Sequence, residues 1–224
     1  MKTIRVTGKG NLKVHPDMTR ITITLNGMDL LYNETLRKSS EATEKLKDLL
    51  VPFGFERSDL KTLSFDVRTE YERYEEKVRG RTEYKTRFAG YTYSHRMKVE
   101  FDSDNDRLGK ILYALANSSL NPEFRLSYTV KDPEAAKNEL LDKAIQDAVA
   151  KAGVLTRAAN QKLGEIQSID YSWGRIDFEF SPMDRELMPE VDGACLKECA
   201  SLPLDIEPDD IEVGDTVTVV WEIL

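Results

Sequence analysis

Apolar and polar positions alternate with two different periods along this chain, and the switches between them mark its elements. Residues 3–9 and 19–27 alternate with period two; in the second run Ile21, Ile23 and Leu25 are interleaved with Thr22 and Thr24, which predicts strands. The link between them holds Gly8, Gly10 and Pro16. Over residues 30–50 the period changes to that of a helix, with Leu31, Thr35, Ala42, Leu46 and Leu49 on one face. Pro52 and Gly54 end it. Residues 60–73 and 82–101 alternate again. Leu63, Phe65, Val67, Thr69 and Tyr71 are expected on one face of the first strand. Tyr91, Tyr93, His95, Met97, Val99 and Phe101 are expected on one face of the second. Together they predict a long hairpin whose outer part, about residues 70–88, is polar.

A short helix follows, with Leu108, Ile111, Leu112 and Leu115 as its apolar face and capping-box spacing between Ser103 and Asp106. Residues 123–130 read as a strand. A long helix is predicted from about Pro133 to Lys162, with Asp132 as its cap, Pro133 in its first turn and Gly164 as its stop. Ala144, Ala148 and Ala152 recur every four residues, and Leu140, Leu155 and Ala159 extend the stripe. Small side chains there let the helix lie close to a sheet. A strand over 165–172 precedes an irregular segment over 174–210, and a strand closes the chain, with Val217, Val219, Trp221 and Ile223 alternating. Leu63-Ser64-Phe65-Asp66-Val67 matches Leu126-Ser127-Tyr128-Thr129-Val130, consistent with two strand-helix-strand units. The fold class expected is α+β: a mixed, mainly antiparallel sheet with helices packed on it and a protruding hairpin, in one domain over 1–224.

Composition narrows the function classes. Hydrophobic residues make up 40% of the chain and the net charge is −8, so there is material for a core and no bulk attraction for phosphate backbones. No segment reaches the length of about 20 apolar residues needed to span a membrane. The opening Met-Lys-Thr-Ile-Arg-Val-Thr-Gly has no apolar signal core, so the location expected of the chain as given is cytoplasmic. A start Met in place of a removed signal peptide would read the same and makes the periplasm or cell envelope the alternative. The two cysteines, Cys195 and Cys199, are too few for a disulfide scaffold; free thiols in a loop and a local redox pair both remain open.

His15 and His95 are the two histidines, and no pattern of His or Cys at zinc spacing exists. Gly8-Lys9-Gly10 lacks the third glycine and the helix of a dinucleotide loop, so it reads as a bulge or a close backbone approach. Asp102-Ser103-Asp104-Asn105-Asp106 begins like a calcium loop, but Arg107 stands where glycine is required and Tyr113 where glutamate is. No catalytic residue, cofactor or metal site is therefore assigned. The hairpin mixes Tyr71, Arg73, Tyr74, Arg79, Arg81 and Tyr84 with Glu70, Glu72, Glu75, Glu76 and Glu83. The acidic residues nearly cancel the basic ones, which favours cross-strand ion pairs or a protein contact over nucleic acid.

In order and spacing these segments resemble the SIMPL-domain family, which includes the bacterial YggE-like proteins of unknown function. The resemblance rests on Ile4, Val6, Gly8 and Gly10, then Pro16-Asp17, Gly54, Asp59, Gly90-Tyr91, Asn121, Phe124, Asp142-Lys143-Ala144, Ala148, Lys151-Ala152, Leu163-Gly164, Ile166, Leu202-Pro203 and Pro208. It implies an α+β fold, ring-like homo-oligomers and no known catalytic residues. It also implies links to the cell envelope, to stress tolerance and, in animals, to signalling through a kinase partner. The leading expectation is thus a non-enzymatic, self-assembling interaction or scaffold protein: a homo-oligomer with a protein partner, no nucleic acid and no membrane span. The alternative is a small-molecule binder or unrecognised enzyme with a pocket near the 174–210 segment, using Trp173, Arg175 and His95.

Overall fold

The computed structural model describes residues 2–78, 81–171, 178–180 and 206–224, with the side chains of 77–78 and 81–83 outside that description. The fold is α+β, and the described residues form three α-helices and two antiparallel sheets in place of the single sheet expected. The elements are β1 (Thr3–Val14), β2 (Met18–Asp29), α1 (Tyr32–Leu50), a 3-10 turn (Val51–Phe53), β3 (Lys61–Val78), β4 (Arg81–Asp102), α2 (Asn105–Ala116), β5 (Glu123–Thr129), α3 (Pro133–Ala158), β6 (Leu163–Tyr171), β7 (Glu179–Phe180) and β8 (Ile211–Ile223). They cluster into two compact units. The first is built from Met1–Met18, Tyr128–Phe180 and Pro208–Leu224, and the second is centred on Thr19–Ser127.

In the first unit the sheet order is β1-β8-β6. β1 pairs with β8 without interruption from Thr3↔Glu222 to Val14↔Ile211, so Gly8 and Gly10 lie inside the strand rather than in a link or a bulge. They are needed for close approach. A Cβ on Gly8 would sit 2.0 Å from the Ala144 carbonyl oxygen, and one on Gly10 2.2 Å from that of Leu140. The small-residue stripe of α3 and the glycines of β1 are thus two halves of one contact. Ala144, Ala148 and Ala152 are fully buried there with Val6, Val217, Val219 and Trp221. A second cluster joins Leu12, Val130, Leu140, Phe178 and Ile211.

Asp132 caps α3, accepting from the Ala135 backbone N–H at 2.9 Å. The helix ends earlier than the sequence predicts, at Ala158. Asn160, at φ 53, makes the left-handed turn, and Gly164 lies in β6. Leu155 and Ala159 are exposed, so the buried stripe runs Ala136, Leu140, Ala144, Ala148, Ala152 and Thr156. β7, inside the segment expected to be irregular, pairs Phe180 with Tyr128 of β5.

The second unit runs β2-α1-β3-β4-α2-β5, and its strands lie in the order β3-β4-β2-β5. That is the split β-α-β arrangement of ferredoxin-like sheets. Ile21, Ile23 and Leu25 of β2 and Tyr93, Met97, Val99 and Phe101 of β4 are buried, as are Leu46 and Leu50 of α1 and Leu108, Ile111 and Leu115 of α2. The α2 cap is Asp104, which accepts from the Arg107 N–H at 2.9 Å, rather than Ser103. Arg107 stacks its guanidinium 4.2 Å from the Phe55 ring centre and 5.0 Å from that of Phe101, and donates to the Phe53 carbonyl. β3 is an edge strand, exposed along nearly its whole length on both faces.

Candidate functional site

Alternation alone makes β3 and β4 a hairpin, and two irregularities decide which side chains share a face. The register runs from Lys61↔Lys98 to Val78↔Arg81, with breaks at Thr62/Ser64 and at Glu70/Tyr71. At the first break Leu63 is the extra residue. It lines a depression with Thr22, Thr24 and Arg96, whereas Phe65 lines one with His95 and Met97. The expectation that Leu63 shares a face with Phe65 is therefore corrected: a bulge inserts one residue and reverses the facing. At the second break Ala89 is the extra residue, next to Gly90, whose φ of 143 suits glycine.

The second bulge brings a run of aromatic rings together. Tyr71 meets Phe88 at 6.2 Å between ring centres, Phe88 meets Tyr91 at 5.3 Å, and Tyr91 meets Tyr32 at 5.3 Å, all edge to face. These rings are not buried: Tyr71 is 61% exposed, Tyr32 52% and Phe88 45%. Leu30 and Leu31 at the start of α1 are also exposed. Farther out, Arg87 pairs with Glu72 and lies 5.6 Å over the Tyr74 ring, while Lys85 pairs with Glu76. The Glu76 carboxylate, by hydrogen bond and charge, holds the Lys85 ammonium above its ordinary pKa. Tyr84 is 67% exposed, opposite Glu75. Arg73 lies opposite Thr86.

Of the residues singled out in the hairpin, Tyr71 joins the aromatic run, Tyr74 packs under a cation, and Tyr84 and Arg73 face solvent. Arg79 and the side chain of Arg81 lie outside the described residues, as do Cys195, Cys199, Trp173 and Arg175. Sequence reasoning missed Phe88, Tyr32, Leu30 and Leu31 as surface residues. The signal was available in Leu30-Leu31-Tyr32, three large apolar residues at a strand-to-helix turn.

His95 ties α1 to β3. Its Nδ1 is 3.0 Å from the Thr43 hydroxyl and its Nε2 is 3.0 Å from the Thr62 hydroxyl. Thr43 donates its proton to the Ser39 carbonyl at 2.8 Å, so its oxygen accepts from Nδ1–H, and Nε2 accepts from Thr62. The neutral imidazole is satisfied at both nitrogens. Burial, and then the nearby Lys47, push its pKa below the ordinary value. The surrounding depression of about 500 Å³ is also lined by Leu36, Ser40, Glu44 and Leu60. Lys47 and Glu44 are paired with each other at 2.8 Å. Among the described residues no group of three or more His, Cys, Asp or Glu side chains is placed to hold a metal ion. None of their helices is long and apolar enough to cross a membrane.

The structure is that of an α+β protein whose second, ferredoxin-like unit carries a hairpin with an exposed aromatic run. Residues 4–221 match the SIMPL family, described as "Protein of unknown function (DUF541)", and the chain belongs to that family. It is 28% identical over 166 residues to the 26 kDa periplasmic immunogenic protein of Brucella abortus (strain S19), and 27% identical over 166 residues to the protein of the same name from Brucella melitensis biotype 1. Each alignment covers 74% of this chain and 65% of the relative, so the chain spans just under two thirds of the length of these curated relatives. Their names place them in the periplasm, which agrees with the envelope alternative and gives no support to the cytoplasmic expectation.

Proposed function

We propose that this SIMPL-family chain is a non-enzymatic, self-assembling interaction protein of the bacterial cell envelope, with the β3–β4 hairpin as its contact surface. The observation that carries this reading is the run Tyr32–Tyr91–Phe88–Tyr71, with Tyr71 and Tyr84 more than half exposed. Contiguous exposed apolar surface of this kind marks interaction sites. Tyrosine is enriched in interface cores, and the flanking ion pairs can set register. His95, bonded at both nitrogens to threonine hydroxyls, supports a structural role for that residue. The envelope location is supported by the periplasmic names of the two Brucella relatives.

The test replaces Tyr71 and Phe88 by serine in one variant and Glu72–Thr86 by an Asn-Gly turn, which closes a two-residue hairpin, in another, and measures mass by light scattering. Folded variants of lower mass than the wild-type oligomer are the expected result. An oligomer unchanged by both replacements would overturn the assignment of the contact to the outer hairpin.

A further inference from the structure

The outer edge of β3 is unpaired among the described residues: β3 ends the sheet order, and its one strand neighbour is β4. A long open edge is a template for another strand, and charges on it normally discourage pairing. Between Ser64 and Thr69 of β3 these charges are Asp66 and Arg68. Their cross-strand neighbours are Ser94 and Thr92, and neither makes an ion pair or side-chain hydrogen bond among the described residues. Phe65 and Tyr71, on either side of them, are 44% and 61% exposed.

Resting on the self-assembly reading above, we infer that β3 pairs antiparallel with β3 of a second copy of this chain, with Val67 on the two-fold axis. The register follows from charge. A two-fold axis normal to the sheet makes an isologous contact and must pass through a residue, so that directly opposed side chains lie on one face. Centring on Asp66, Arg68, Glu70, Glu72 or Arg73 opposes a charge to its own copy. Centring on Thr69 sets Asp66 against Glu72, Tyr71 sets Glu70 against Glu72, and Tyr74 sets Glu72 against Glu76. Centring on Phe65 or Ser64 runs at once into the Leu63 bulge. Val67 is the centre that pairs the whole of Ser64–Glu70 with its own copy and opposes no like charges there; its first like pair, Lys61 against Arg73, falls beyond the Leu63 bulge. It sets Asp66 against the partner's Arg68 twice and Phe65 against the partner's Thr69. Opposite charges directly across a strand pair stabilise it and like charges destabilise it. The charges that deter a foreign strand thus select this chain's own β3 in one register.

The experiment uses the full chain and sedimentation velocity over a concentration series. Asp66→Arg and Arg68→Asp are each expected to weaken self-association by about tenfold or more, because each opposes like charges twice. The double variant Asp66→Arg/Arg68→Asp restores opposite pairing and is expected to return to within about threefold of wild type. In a background with Cys195→Ser and Cys199→Ser, Val67→Cys should cross-link between copies with a short bismaleimide. Glu72→Cys should not, since its two copies lie about ten residues apart along the strands, roughly 33 Å. A wild-type oligomer that ignores the single reversals, or a double variant no better than the singles, overturns this register while leaving self-assembly standing. A wild-type monomer overturns both. Loss of association on trimming Glu72–Thr86, with Val67→Cys failing to cross-link, moves the contact to the outer hairpin alone.

Discussion

Gly8→Ala measures how tightly α3 is laid on β1. The added methyl would lie 2.0 Å from the Ala144 carbonyl oxygen, 2.5 Å from the Ala148 nitrogen and 2.7 Å from the Ala148 Cβ. The first two are helix backbone, so no side-chain rotation relieves them. Restoring a contact of about 3.5 Å requires the helix or the strand to move by roughly 1.5 Å. That movement loosens the packing of Ala144, Ala148 and Ala152 against Val6, Val217 and Trp221, all buried in one cluster. Overpacking a close contact costs about 1–3 kcal/mol and occasionally more, and alanine recovers about 0.4–1 kcal/mol by restricting the unfolded chain. The net expectation is a loss of about 1–2 kcal/mol. Gly153→Ala is the control in the same helix, where a Cβ meets nothing within 4 Å; it should stabilise by about 0.5–1 kcal/mol. Urea denaturation followed by circular dichroism reads both, with midpoints moving in opposite directions. A Gly8→Ala midpoint equal to or above wild type would refute the close packing of helix on strand.

Three further outcomes are expected. Removing Thr216–Leu224 takes away most of β8, the central strand of β1-β8-β6, and should abolish cooperative melting of the first unit; a truncated chain that melts like the full one would contradict this. His95 is held below its ordinary pKa of about 6.5, so in the window just below that value the unfolded chain binds more protons than the folded one. Stability is then complete above about pH 6.5 and falls as pH drops toward the lowered folded pKa. His95→Gln should flatten that part of the profile in denaturation midpoints measured from pH 8 to 5, and an unchanged slope would show that other groups set it. Arg107→Ala removes a cation stacked on Phe55 and Phe101 and the bond to the Phe53 carbonyl; a loss of about 1–2 kcal/mol is expected, with thermal melting unchanged as the contrary result.

The parts of this fold written in local periodicity were legible. Ala144, Ala148 and Ala152 announce a close-packed helix before any partner is known. Val217, Val219 and Trp221 announce a strand with one buried face, and both readings hold in the structure. What was not legible depends on residues far apart. β1 and β8 pair although partners stand from 197 (Val14↔Ile211) to 219 (Thr3↔Glu222) positions apart, and the division into two sheets follows from that pairing. The Leu63 bulge carries no composition signal, so alternation gave the wrong facing there. The α2 cap fell among adjacent Asp102, Ser103 and Asp104, each able to cap. The α3 stop fell to Asn160, a residue that tolerates a left-handed turn nearly as Gly164 would. In the candidate site, tyrosines among charges marked the outer hairpin. The link from Tyr71 through Phe88 and Tyr91 to Tyr32 exists only in space.

Self-assembly is the central claim, and the mass of the wild-type chain in solution tests it most directly. Sedimentation equilibrium at physiological salt, across a range of protein concentrations, should give a mass of twice 25.6 kDa or a higher multiple. A mass of 25.6 kDa at every concentration would contradict it.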